Sequence, residues 1–487
     1  MKNWQKTSLL LLPFFLIGCS SSNKSKNKSD DTQENCFIKE DVEISFLCMS
    51  DAKYNELLKG MIADFKKQEP HVTVNLSNPL GSGNYANLEN IVVSGFLKEN
   101  YPDIVQCYPD NVVKYIARGF ALKLDKYLNN ESYGILGEEK ADYIDSFLKE
   151  GQKYAVEGTY SLPFCKSTEL LYYHAKELIG LNLSAIDSTI NEGNALTAEY
   201  LDNLTWEELF DKLCPAIKTY NDALPSSEKL YVEGTDSAIF TYDSDENFFI
   251  TLADQYGYGY TSIDANGVGS IDYNNDGMKQ LMKKLNSAKK NGFLQTKYTH
   301  DDYVSNLFQQ KNCLFTVSST AGLSYNYNRN APFEIGVAKI PHAAGIEYSS
   351  INQGPSLCIL DHKDENRALA SYLFWKHITS KTNSIDWTIH TGYMGIRNSS
   401  YISDEYKAAT SYTDKSDLEK LAISDNLKKI QDVKESTFNT YVFRGSSNAR
   451  KNAGLLLKAC LLSADIDAEI DALFLDSVAD TEKYTKA

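Results

Sequence analysis

His300, Asp301 and Asp302 form the tightest cluster of an imidazole with carboxylates in the chain. General acid–base chemistry and metal binding both draw on such groups. The seven histidines are otherwise dispersed. The cluster stands where a helical pattern starts, and acids there are favoured by the helix dipole, so it reads as a helix start. Asp272-Tyr273-Asn274-Asn275-Asp276-Gly277 begins like a calcium loop. That loop needs a bidentate Glu at its twelfth position, and the twelfth residue is Lys283. The segment reads instead as a turn that caps a helix beginning near Met278. The chain has neither Gly-x-x-x-x-Gly-Lys-Ser/Thr for nucleotide phosphate nor a Gly-x-Ser-x-Gly elbow. Carboxylates are many, but sequence alone does not pair two across a cleft, so glycosidase chemistry stays open. No catalytic residue, metal ligand or cofactor is assigned.

A different chemistry is written at the start of the chain. Lys2 and Lys6 precede an apolar run from Leu9 to Ile17, followed by Gly18 and Cys19. A basic start, a short apolar core and small residues at a cut site describe a secretory signal, residues 1–18. The run is too short to span a bilayer as a helix. Leu16-Ile17-Gly18-Cys19 resembles the lipobox of bacterial lipoproteins. That resemblance implies cleavage before Cys19, acylation of Cys19 and a membrane anchor on the extracytoplasmic face. From Ser20 to Asn35 every residue is polar or charged, which suits a flexible tether; residues 19–41 are read as lipidated Cys plus tether.

Composition narrows the rest. The chain has 487 residues, enough for two or more domains, with 42% hydrophobic and 23% charged residues, as in a globular protein. Its net charge of −16 argues against nucleic acid and against electrostatic attachment to anionic lipid. Tyrosine is abundant, with 32 copies, and its flat ring and hydroxyl suit sugar ligands as well as cores. Beyond Cys19 there are eight cysteines with no Cys-x-x-Cys pair, so zinc and redox motifs lack support. Disulfides and buried thiols are both open to them.

The elements that would position a site follow from periodicity. Val42–Leu47 alternates as a strand. Tyr54, Leu57, Leu58, Met61, Ile62 and Phe65 fall on one helix face, stopped by Pro70. Val72–Leu76 is a second strand, Leu88–Leu97 a helix, Asp103–Cys107 a buried strand and Val112–Ala117 a helix. This order predicts a parallel, doubly wound sheet. Later come strands at Cys313–Val317, Ile335–Ala338 and Leu357–Leu360. Helices are predicted at Trp206–Leu213, Met278–Lys290, Tyr303–Gln310, Ala368–Ile378, Asp417–Lys428 and Asp465–Leu475.

Several segments carry a family resemblance. Tyr101-Pro102-Asp103-Ile104-Val105, Leu162-Pro163-Phe164 with Ser167-Thr168, Thr205-Trp206-Glu207-Glu208-Leu209, Lys311 to Gly322, and Trp387 with Thr391-Gly392-Tyr393-Met394 occur in one order along the body. In that order they resemble the family 1 extracellular solute-binding proteins of ABC importers, the maltose and glycerol-3-phosphate binding group. The resemblance implies an α/β fold of periplasmic-binding-protein type II: two doubly wound lobes, a ligand cleft and a hinge. Residues 42–162 plus 312–359 are expected to form the first lobe. Residues 163–311 plus 360–487 are expected to form a second, helix-rich lobe.

The resemblance also suggests ligand residues. Tyr85 of Gly83-Asn84-Tyr85, Ser167 after Pro-Phe, Tyr393 of Thr-Gly-Tyr and the late Arg450 match positions that face ligand in the glycerol-3-phosphate binders. Ser319, Thr320 and Gly322 sit where a strand meets a helix start, and free N–H groups there would suit phosphate or sugar hydroxyls. Asp110 stands one place from the family's acid, and Asp243 lies where the family carries a cleft tryptophan. Asp243 and Asp245 would disfavour a phosphate, so a neutral sugar or oligosaccharide is as good a fit as a glycerophosphate. The implied protein is a lipid-anchored, monomeric, non-enzymatic receptor that hands a carbohydrate-like solute to ABC permease subunits. A surface glycosidase or an adhesin-type lipoprotein on the same fold is the alternative.

Overall fold

The computed structural model describes residues 36–49, 52–78, 85–234 and 236–485. Cys19, the signal and the tether lie outside the described residues. Fourteen strands follow in chain order: β1 (Val42–Leu47), β2 (Val72–Ser77), β3 (Ile104–Cys107), β4 (Leu162–Pro163), β5 (Glu169–His174), β6 (Phe240–Tyr242), β7 (Thr261–Ile263), β8 (Gly269–Ile271), β9 (Leu294–Thr296), β10 (Phe315–Ser319), β11 (Ile335–Lys339), β12 (Ser350–Ile351), β13 (Ser356–Ile359) and β14 (Thr437–Phe438). They build two five-stranded sheets, ordered β2-β1-β3-β13-β4 and β11-β5-β10-β6-β9, with small pairs β12-β14 and β7-β8.

The first sheet is parallel through β2, β1 and β3, as the strand–helix alternation predicts, and β13 joins it antiparallel to both β3 and β4. The helix Ala52–Gln68 ends just before Pro70, whose ring disfavours helix at the preceding residue. Its apolar stripe, Leu58, Met61 and Phe65, packs in one core with Phe46 of β1 and with Phe374 and Trp375 of the helix Glu365–Ile378. The opposite face of the sheet packs Val105 and Cys107 against Leu88, Val92, Phe96 and Tyr115. A second core holds Phe240, Phe248, Met282, Leu457 and Phe474 around the second sheet.

The lobe boundaries differ from the expectation. β10 and β11 lie in residues 312–359, yet both pair with β5 in the second sheet. The helices Glu365–Ile378 and Lys381–Thr391 lie in residues 360–487, yet Phe374 packs on Phe46 of β1, and Trp387 packs on Tyr54 and Phe164 beside the first sheet. All six residues of β5 are buried, so it takes a partner on each edge. An apolar strand pattern shows that a strand is buried and leaves its sheet undetermined. Residues 163–169 carry the chain from the first sheet to the second, and residues 339–356, through β12, carry it back.

Local readings hold at the turn before Met278: Asn275 caps the helix Asp276–Lys290 by accepting from the Met278 N–H at 3.0 Å. His300, expected at a helix start, is the last residue of the helix Lys297–His300, and Asp301 follows with φ 61°. The eight described cysteines are all buried. Among the described residues no helix is long and apolar enough to cross a membrane.

Candidate functional site

Two helix starts and one crossing segment converge on a pocket between the sheets. Pro109 sits at the first position of the helix Pro109–Ala117, directly after β3, where its missing N–H costs nothing. That places Asp110 in the first turn. Gly445 precedes the helix Ser446–Leu462 with φ 96°, a conformation that suits glycine, and a Cβ there would lie 3.1 Å from Thr485 Cγ2. This turn aims Ser446 and Arg450 at the same place. The pocket is lined by Tyr108, Asp110, Glu150, Asn352, Gln353 and Arg450, among others, with a cavity volume of about 40 Å³.

The pocket is charged, and its charges are held. Ser446 Oγ donates to Asp110 Oδ1 at 2.6 Å. Burial pushes the Asp110 carboxyl up, against the opposing pull of the Ser446 hydrogen bond and the Arg450 charge. Arg450 donates to Asn247 Oδ1. Burial opposes its charge, but Glu246, Tyr108 and Asp110 outweigh that and raise its pKa. Glu150 is neutralised from behind by Lys166, which is fully buried and also donates to Gly354 O at 3.1 Å. Asn352 donates to Asn439 at 2.7 Å, while its own Oδ1 is buried without a partner. The Tyr260 hydroxyl, within the electrostatic reach of Arg450 and Asp110, is likewise buried and unpartnered. Unpaired buried polar atoms are costly, and Asn352, which lines the pocket, carries one where a ligand donor would satisfy it.

A second patch adjoins the crossing segment. Tyr393 lies 6.0 Å from the Tyr54 ring and 6.3 Å from Trp387. Cys48, Gln106, Phe164 and Cys165 surround the same rings. The Met394 N–H donates to Lys166 O at 2.7 Å, which ties this patch to the crossing segment.

The sequence-derived residues divide between these places. Asp110 and Arg450 meet in the charged pocket, and Tyr393 lines the aromatic patch. Ser167 is buried in the crossing segment, where its backbone exchanges two 2.9 Å hydrogen bonds with Gln353. The free N–H groups expected beside Ser319 are taken: Thr320 N donates to Thr168 O at 2.8 Å, and Ala321 N donates to Ser319 Oγ at 3.3 Å. Thr320 Oγ1 is buried and unpartnered. The close approach at Gly322 is internal, since a Cβ there would stand 2.5 Å from Ser318 Oγ. Asp243 follows β6 and lies outside both linings, and burial pushes it up to about 7 against the Lys297 charge. Tyr85 opens the helix Tyr85–Phe96, and its side chain lies outside the described part. Sequence reasoning missed Asn352, Gln353, Asn247 and Glu169. Glu169 did leave a signal, as a carboxylate opening the apolar run Leu170-Leu171-Tyr172-Tyr173.

A model of the bacterial extracellular solute-binding protein family matches residues 60–414. This chain belongs to that family. The two-lobed fold of this solute-binding protein is shared with solved structures. UgpB from Mycobacterium tuberculosis, in complex with glycerophosphocholine, is 17% identical with TM-score 0.67, over 91% of this chain and 98% of that one. Lmo0181 from Listeria monocytogenes, in complex with cycloalternan, is 11% identical with TM-score 0.66, over 91% and 99%. The GacH receptor of Streptomyces glaucescens, solved unliganded and with acarbose, is 13% identical with TM-score 0.64, over 91% and 98%. No curated protein matches the chain by sequence. Membership in an extracellular solute-binding family puts the working site outside the cytoplasm, and nothing in the family calls for catalysis.

Proposed function

We propose that this protein is the lipid-anchored substrate-binding component of an ABC importer, capturing a carbohydrate-like solute and delivering it to the permease. The observation that carries this reading is the pocket between the sheets, where Asp110 and Arg450 approach from opposite elements and Asn352 offers an unpartnered oxygen. A polyol needs acceptors and donors together, and this wall provides both. The ligands bound by UgpB, Lmo0181 and GacH, a glycerophosphodiester and oligosaccharide-like molecules, mark the range to search. Of the two carboxylates at the wall, Glu150 is committed to Lys166, which favours binding over hydrolysis by a carboxylate pair. Tyr393, Tyr85, Ser167, Asp243, Ser319, Thr320 and Gly322 remain proposed ligand contacts. Lipidation of Cys19 and the tether would keep a monomeric receptor near its permease by raising local concentration.

The test uses chain beginning after Cys19, titrated calorimetrically with maltotriose, cyclic glucans and glycerophosphocholine. The reading expects saturable one-to-one binding with the ligand recovered unchanged. Hydrolysed ligand, or no heat and no rise in melting temperature with any of them, would sink it.

A further inference from the structure

Arg450 is held by an amide whose orientation another residue decides. Asn247 stands in the first turn of the helix Asp245–Gln255, which Ser244 caps by accepting from the Asn247 N–H. Its Nδ2 donates to Glu169 Oε1 and to Gln353 Oε1, both at 2.7 Å. Its Oδ1 accepts from Arg450. An ionised carboxylate only accepts, so Asn247 must turn its N–H groups to Glu169 and present its oxygen to the guanidinium. Glu169 is itself fixed, since Tyr242 OH donates to its other oxygen at 2.5 Å. Glu169 and Asn247 are 2% and 1% exposed, so water does not compete for these bonds.

We propose that Glu169 is a positioning residue for the ligand pocket: through Asn247 its carboxylate holds Arg450 toward the solute and ties that hold to Gln353 of the crossing segment. The proposal rests on the solute-binding reading for its ligand, and on the structure alone for the coupling. The groups that face Glu169 are Tyr242 and Asp243 from the β6 region, Asn247 from the helix that follows, Tyr348 and Gln353 from the segment entering the second crossing, Tyr108 beyond β3, and Arg450. Burial pushes Glu169 up to about 7, against the hydrogen bonds from Tyr242 and Asn247 and the Arg450 charge. A proton on Glu169 can sit on the oxygen facing Tyr242 and reverse that bond. Oε1 still accepts from Asn247, but the charge that strengthens that bond and balances Arg450 is gone. The hold on the solute therefore weakens as the medium turns acid.

Two measurements decide this. The first needs no ligand: a double-mutant cycle of Glu169→Gln and Arg450→Met, followed by thermal unfolding at about pH 8 and about pH 5.5, on either side of the Glu169 midpoint. Glutamine keeps the shape of Glu169, and circular dichroism checks that each variant folds. The melting shifts are expected to be non-additive at the higher pH and close to additive at the lower. Additive shifts at both, or equal coupling at both, overturn the proposal. The second uses maltotriose and glycerophosphocholine as probes. Wild-type affinity for the probe that binds is expected to fall about tenfold from pH 8 to pH 5.5, the effect of a one-unit shift on binding, while Glu169→Gln stays flat. A flat wild-type profile, or a sloping Glu169→Gln profile like the wild type's, overturns it. Failure of both probes at every pH counts against the solute-binding reading instead, and the ligand-free cycle still decides the coupling.

Discussion

The charged pocket and the aromatic patch lie on the same crossing segments and hold their side chains by opposite means. Around Arg450 the restraint is polar: Asp110, Ser446, Asn247 and Glu169 form hydrogen bonds that only one arrangement satisfies. Around Tyr393 the restraint is ring packing, with Tyr54 and Trp387 at 6.0 and 6.3 Å. Polar networks in a low-dielectric setting specify a geometry and penalise any broken member. Ring clusters contribute area and tolerate a lost hydroxyl. Under the proposed function, the first region selects the ligand and the second offers it a flat surface.

That contrast can be broken at its base. Lys166→Met leaves Glu150 without its buried partner beneath the charged pocket, and should cost about 3–5 kcal/mol in urea unfolding. A loss under about 1 kcal/mol would mean that the pair contributes little to the crossing.

Acidity offers the next test. Burial raises Glu169, Asp243 and Asp245 each to about 7, so the folded chain holds their protons more tightly than the unfolded chain does. Their contribution is fully present below the ordinary carboxylate range and is lost as pH rises through about 7. At about 1.4 kcal/mol per unit, even one unit at each of the three sites amounts to a few kcal/mol. Replacing all three by their amides should flatten the dependence of melting temperature on pH between about 4.5 and 7. An unchanged slope would place the titration elsewhere.

Ligand binding separates the two regions directly. Arg450→Met should weaken binding about 10- to 100-fold, the range for one hydrogen bond to a charged group. Tyr393→Phe keeps the ring contacts and should change affinity by less than about threefold. If calorimetry gives the reverse order, the aromatic patch is the selective region. Ser446→Ala should likewise have a small effect, about 1 kcal/mol or less in binding or stability, because Asp110 keeps the Arg450 charge nearby. A loss as large as that of Arg450→Met would make Ser446 a principal contact.

Much of the fold was legible wherever a segment reports its own burial. Alternation marked β1 at its observed bounds, and the 3.6-residue stripe marked the helix Ala52–Gln68 up to Pro70. β6 and β9 were missed because three residues are too few to show a period. The helix Ser446–Leu462 was missed because it is buried on several sides and carries little amphipathic contrast. Asp110 and Arg450 were proposed through family resemblance, not through periodicity. Asn352 and Asn247 were not found at all, since an asparagine in a turn or a helix's first turn reads as a cap.

The sequence by itself determined the local elements, the acidic surface, the family and the expectation of an anchor at Cys19. Each follows from residues close together in the chain, where side-chain period, turn chemistry and charge act directly. Only the tertiary structure decided which remote segments meet. It moved β10 and β11 into the second sheet and brought Ser446 onto Asp110 across 336 residues. It also turned Glu169, an anomaly in an apolar strand, into the residue that orients Asn247 and Arg450. Sheet order, which sets those meetings, depends on edges and faces competing for partners, and no local pattern encodes the outcome.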